Sequence, residues 1–156
     1  MRAEQIITKA ICLFRNDDLI LVAEGFDEVK GEFYYRPIGG KIEFGETSAE
    51  AIQREVREEI EANIQNLNYI GTIENIFTYN GDLGHEVVFV YDAEFVDKSF
   101  YANPSFFGKE DKGSTFKLLW KAISDFTNNK ITLVPNGLLD LLWMATWVRT
   151  YGNFLL

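Results

Sequence analysis

Between residues 39 and 62 the chain passes from a glycine-containing turn into a helical period, and no other stretch constrains its fold as much. Gly39, Gly40 and Gly45 mark the turn. Ile52, Val56 and Ile60 then recur at i, i+4 and i+8, which lays one apolar stripe along a helix. Thr47, with Glu50 three residues later, is a capping-box pattern, so the spacing predicts a helix over residues 48 to about 62.

The surrounding chain reads as strands. Residues 6–14 and 19–23 are apolar runs joined through Asn16-Asp17-Asp18, and they predict a hairpin. Residues 33–35 form a short aromatic strand before Pro37. Residues 68–79 and 86–95 flank Asn80-Gly81-Asp82 and predict a second hairpin. Residues 97–114 read as a loop, with short strands at 116–120 and 131–134. After Pro135, the run of Leu138, Leu139, Leu141, Leu142, Trp143, Ala145 and Trp147 predicts a largely buried helix with Asn136 as its N-cap. An α/β fold follows, with helices packed on a mixed sheet. At 156 residues and 47% apolar content, the expectation is a single domain over residues 1–156.

Glu55, Glu58 and Glu59 fall at i, i+3 and i+4 of the helix and share one face. A salt-bridged surface accounts for part of this pattern, because Glu50 can pair with Arg54, Arg54 with Glu58, and Arg57 with Glu61. Glu55 and Glu59 have no basic residue three or four positions away. Glu58 and Glu59 also approach the helix C-terminus, where the macrodipole disfavours negative charge. Carboxylates so placed raise one another's pKa or attract a cation, and their hard oxygens suit Mg²⁺, Mn²⁺ or Ca²⁺.

Gly40, Glu46 after five residues, Arg54-Glu55 after seven more, Val56, then Glu58-Glu59 after one residue together resemble the Nudix box. The resemblance covers residues 40–62. Glu61 and Ala62 depart from it, standing where the family usually has Gly and an aliphatic residue. Without that Gly the helix is expected to continue to Asn63, a tolerated left-handed cap.

The resemblance implies a Nudix-type mixed β-sheet sandwiched between α-helices. It further implies that Glu55, Glu58 and Glu59, with the Gly40 carbonyl, hold Mg²⁺, with Mn²⁺ as the alternative. Arg54 and Glu46 would orient those ligands. Glu58 is the first choice of general base. Glu110, which resembles the loop glutamate of triphosphate-cleaving members, and Glu86, beside the lone His85, compete for that role; His85 itself reads as a strand-end residue. Arg36, Lys41, Tyr79 and Asn136 are candidate contacts to phosphate or base. The implied reaction is Mg-dependent cleavage of the diphosphate linkage in a nucleoside diphosphate joined to another group: a nucleoside triphosphate, a dinucleoside polyphosphate or an ADP-ribose-like compound. The alternative is a non-catalytic nucleotide-sensing module on the same fold.

A net charge of −9 argues against nucleic acid as a partner, since affinity for a phosphate backbone needs clustered Lys and Arg. A small phosphate compound accompanied by a divalent cation is not repelled in the same way. No apolar run reaches membrane-spanning length, so no membrane partner is expected. The single Cys12 reads as a buried thiol in a reducing, cytoplasmic setting. Trp143 and Trp147 leave room for a homodimer surface.

Overall fold

The computed structural model describes residues 4–151, with side chains described for residues 4–145, so the side chain of Trp147 lies outside the described ones. Strands β1 (Ile6–Leu13), β2 (Arg15–Asn16) and β3 (Leu19–Asp27) come from the two leading apolar runs. β4 (Glu32–Arg36) and β5 (Ile38–Lys41) flank Pro37. β1 sends Ala10 and Cys12 into one core and Ile11 and Leu13 into another, while β3 divides Leu21 and Ala23 from Ile20 and Val22. Strands buried on both faces need continuous apolar runs, which is why these two do not alternate with polar residues.

The expected hairpin between these runs does not form as read. After Leu13 the chain crosses to a different sheet, and only the two residues of β2 pair with β3. The edges of β1 are already taken, by β5 antiparallel on one side and by a later strand in parallel on the other.

Helix α1 (Ser48–Ile60) starts where the capping pattern places it. Thr47 Oγ1 accepts from the Glu50 N–H at 3.2 Å, and the Glu50 carboxylate accepts from the Thr47 N–H at 2.8 Å. Its stripe of Ala51, Ile52, Val56 and Ile60 is buried in the first core. The helix ends earlier than expected. Glu61, not Asn63, adopts the left-handed conformation (φ 54°, ψ 34°), and its N–H donates to Arg57 O at 2.9 Å. That reversal frees Asn63 O to accept from Val96 N–H at 3.0 Å and lets Ile64 pair with Phe95.

β6 (Ile64–Tyr79) and β7 (Asp82–Phe95) form the second hairpin, longer than expected. Asn80 and Gly81 close it at φ 49° and 84°, the two positive values that a tight hairpin turn requires. The segment read as a loop contains helix α2 (Ser99–Ala102) and strand β8 (Ser105–Lys109). Aromatic packing orders it: Tyr101 stacks on Trp120, Phe100 on Phe95, and Trp120 Nε1 donates to Phe100 O at 3.2 Å. β9 (Thr115–Ala122), α3 (Ile123–Thr127), β10 (Thr132–Leu133) and α4 (Leu138–Tyr151) complete the described chain.

One sheet has the order β5-β1-β7-β6, and the other β10-β4-β3-β9-β8 with β2 beside β3. α1 covers the first core, while Phe126 of α3 and Leu138 and Leu142 of α4 close the second, giving mixed sheets between helices. Two details of α4 differ from expectation. Gly137, at φ 91°, directly precedes the helix, so Asn136 is not its N-cap. Trp143 and Met144 are exposed, because only one face of the helix meets the sheets. Among the described residues no helix is long and apolar enough to cross a membrane.

Candidate active site

β1, β5, β6 and β7 form one wall of an open cavity of about 1470 Å³, β4 and the segment 132–136 form the other, and α1 with the turn 109–112 forms its rim. The helical period turns Glu55, Glu58 and Glu59 toward this space, and the β5 turn brings Gly40 beside them.

Arg54 organises the acids. Its Nε and Nη2 donate to both oxygens of Glu46, at 2.7 and 3.0 Å, and Nη2 also donates to Lys41 O at 2.9 Å. Its Nη1 donates to Glu55 Oε1 at 2.9 Å and Glu58 Oε2 at 3.1 Å. The Arg54 fork, helped by the Glu43 N–H, holds the Glu46 carboxyl down at about 2. Glu46 does not line the cavity; it stands behind Arg54 and fixes it. The expected Glu50–Arg54 pair is replaced by this grip, since Glu50 is committed to the helix cap.

Glu55 is buried, and burial raises its pKa while Arg54 opposes the rise. Glu59 is the most perturbed acid of the helix face. Burial pushes it up to about 8 against the lowering influence of Arg36, and its buried Oε2 has no hydrogen-bond partner among the described residues. Glu58 is the exposed member, with 48% of its side chain accessible. A Cβ on Gly40 would collide with the Glu55 carboxyl group, so only glycine admits this approach. Among the described residues no three His, Cys, Asp or Glu side chains are gathered into a closed ligand cage. Arg54 draws one oxygen each of Glu55 and Glu58 to itself.

The other residues singled out from the sequence fall around the same cavity. Arg36 lies 3.9 Å from Glu110 and over the Phe116 ring at 5.8 Å. Glu110 sits at the tip between β8 and β9, where its Oε2 accepts from Ser114 Oγ at 2.9 Å. Lys41 and Asn136 line opposite walls, and Tyr79 lies toward the hairpin end, edge to face with Tyr34 at 5.8 Å. Glu86 is buried on the sheet floor and accepts from Lys9 Nζ at 2.7 Å. Cys12 is buried in the first core, and burial raises its thiol well above the usual value.

Sequence reasoning passed over Lys9, Tyr34, Asn75 and Asp111, all of which line the cavity. Asp111 follows a residue already singled out, and its charge raises both Glu55 and Glu59. Lys9 carried one available signal, a charged residue within a largely apolar strand, whereas Asn75 stands in a strand with several polar residues and carried none.

The NUDIX domain family profile matches residues 6–144. No curated protein sequence matches the chain. Similar solved structures include a MutT NUDIX hydrolase from Burkholderia pseudomallei, 22% identical, with a TM-score of 0.57 over 78% of this chain and 86% of that one. A NUDIX hydrolase from Nitrosomonas europaea is 17% identical, with a TM-score of 0.61 over 88% of this chain and 86% of that one. The E. coli ORF135 protein is 17% identical, with a TM-score of 0.55 over 93% and 91%. At such identities the structures speak for the fold, while the profile match spans most of the sequence. The chain belongs to the NUDIX domain family, whose hydrolases act on phosphorus-containing anhydrides.

Proposed function

We propose that this chain is a divalent-metal-dependent hydrolase that cleaves the diphosphate linkage of a small nucleotide-like substrate. The observation that carries the reading is Glu59: a carboxyl group pushed up to about 8, with a buried oxygen lacking a partner among the described residues, beside two further glutamates. A divalent cation answers all three acids at once. Three carboxylates and a backbone carbonyl are hard oxygen donors of the kind Mg²⁺ and Mn²⁺ accept, so Glu55, Glu58, Glu59 and the Gly40 carbonyl would hold the ion. When bound, it would neutralise phosphate oxygens and lower the pKa of an attacking water.

The chain's own groups supply the rest. Arg54, locked by Glu46, keeps Glu55 and Glu58 from swinging away, and Arg36 and Lys41 provide positive charge for the phosphates. Glu58, the most accessible of the three acids, takes the water's proton. Glu86 is buried and held by Lys9 at 2.7 Å, which supports Glu58 over it as the base, and Glu110, on the turn between β8 and β9, is the second choice. The described fold accommodates this as one domain, and the lone buried Cys12 suits a reducing, cytoplasmic setting.

The test is a product assay over nucleoside triphosphates, dinucleoside polyphosphates and ADP-ribose, with Mg²⁺ and with Mn²⁺. The reading expects metal-dependent release of a nucleoside phosphate from at least one of them, lost in Glu58→Gln with the fold intact. A panel with no turnover, or undiminished turnover in that variant, overturns it.

A further inference from the structure

The floor of the cavity beyond the acids carries a polar group that the proposed reaction does not use. Asn75 on β6 is 9% exposed and lines the cavity, yet its side-chain amide meets no hydrogen-bond partner among the described residues. Its amide atoms are not fully buried, so they face the cavity, where water or a ligand meets them in place of a protein group. Its register partner on β7 is Glu86, 6% exposed, which holds Lys9 on β1 at 2.7 Å. Lys9 in turn is in register with Lys41 on β5, next to Gly40. A polar track therefore crosses the four strands from the acid cluster to Asn75, about 14 Å for three inter-strand spacings. Further along the same face the strands carry Ile11, Val88 and Ile73 in the second core. The face becomes polar only where the cavity opens.

We propose that Asn75, flanked by the Glu86–Lys9 pair, is the specificity-determining residue that reads the hydrogen-bonding edge of a nucleobase at the non-reacting end of the substrate. A carboxamide offers a donor and an acceptor in one plane, which matches adjoining acceptor and donor atoms on a base edge through two bonds. The Glu86–Lys9 pair adds an acceptor and donors with no net charge, so this floor suits a neutral base better than a second phosphate. Tyr79, four residues further along β6, and Tyr34 add aromatic surface further along the same cavity. The inference rests on the nucleotide-like substrate class proposed above.

The test is calorimetric titration of AMP, GMP, CMP and UMP, with ribose 5-phosphate as the baseless control. The proteins are the wild type, Asn75→Ala and Asn75→Asp. The wild type is expected to bind one nucleotide about tenfold or more tightly than ribose 5-phosphate. Both variants should lose that margin and keep the ribose 5-phosphate affinity. Asn75→Asp is nearly isosteric and carries the test if Asn75→Ala does not fold by circular dichroism. A wild type that treats every nucleotide like ribose 5-phosphate, silent titrations included, overturns the proposal, as does a folded variant that keeps the preference. Binding is read without turnover, so selective binding by a chain that hydrolyses nothing sinks the proposed reaction and leaves Asn75 its role. Hydrolysis without base-selective binding does the reverse.

Discussion

Arg54 and Glu46 meet in a two-bond fork, Nε to Oε1 at 2.7 Å and Nη2 to Oε2 at 3.0 Å, across eight residues of turn and helix. The guanidinium has donors left for Glu55, Glu58 and Lys41 O, and a lysine has no equivalent planar set. Arg54→Lys should therefore keep the fold and weaken Mg²⁺ binding by roughly 10- to 100-fold, the usual cost of losing a group that orients metal ligands. Thermal shift against Mg²⁺ concentration reads it.

Gly40→Ala asks a narrower question. The added methyl would overlap the Glu55 carboxyl group, which must swing aside, while the neighbouring strand pairing of Ala10 with Gly40 involves only backbone. The expected result is a cooperative thermal melt with turnover reduced at least about tenfold, as befits a misplacement on the order of 1 Å.

Asp27 ties the turn after β3 to the β6–β7 hairpin tip: its carboxylate accepts from Lys30 N–H at 2.8 Å and Asn80 N–H at 3.2 Å. The Lys30 N–H chiefly holds its pKa below the usual 3.8. A folded value lower than the unfolded one means that this stabilisation is present above the unfolded pKa and is lost as pH falls through the folded one. Denaturation in urea across the acid range should show Asp27→Asn losing less stability than the wild type below about pH 4.

Glu61 is the residue at which the sequence departs from the family's glycine, and it is also the residue with a left-handed backbone. A non-glycine side chain there costs on the order of 1 kcal/mol. Glu61→Gly is expected to raise the melting temperature by a few degrees, and Glu61→Ala to give no such gain.

Glu61 also shows where sequence reasoning reached its limit. Helical spacing and the Thr47–Glu50 cap placed the start of α1 correctly, because both are local. The end was misplaced by tertiary demand, since Val96 and Phe95 need the chain reversed before Asn63. The same division holds elsewhere. Asn80-Gly81 gave away its hairpin through local turn chemistry, whereas β8 and the crossing after Leu13 depend on aromatic packing and on partners distant in the chain. In the site, one helix face made Glu55, Glu58 and Glu59 legible. Arg54's grip on Glu46 and the placement of the Asn75 amide at the cavity are long-range facts that no spacing reveals.

The central claim is that the acids of α1 form a divalent-metal site, and calorimetric titration of Mn²⁺ into the wild type and Glu59→Gln tests it most directly. Glu59 contributes a buried oxygen without a partner among the described residues, so the wild type should bind saturably and the variant at least about tenfold more weakly. The variant should also melt no lower without metal, because burial already keeps the Glu59 carboxyl largely protonated near neutral pH and glutamine is its neutral isostere. No binding by the wild type, or equal binding by both, would contradict the claim.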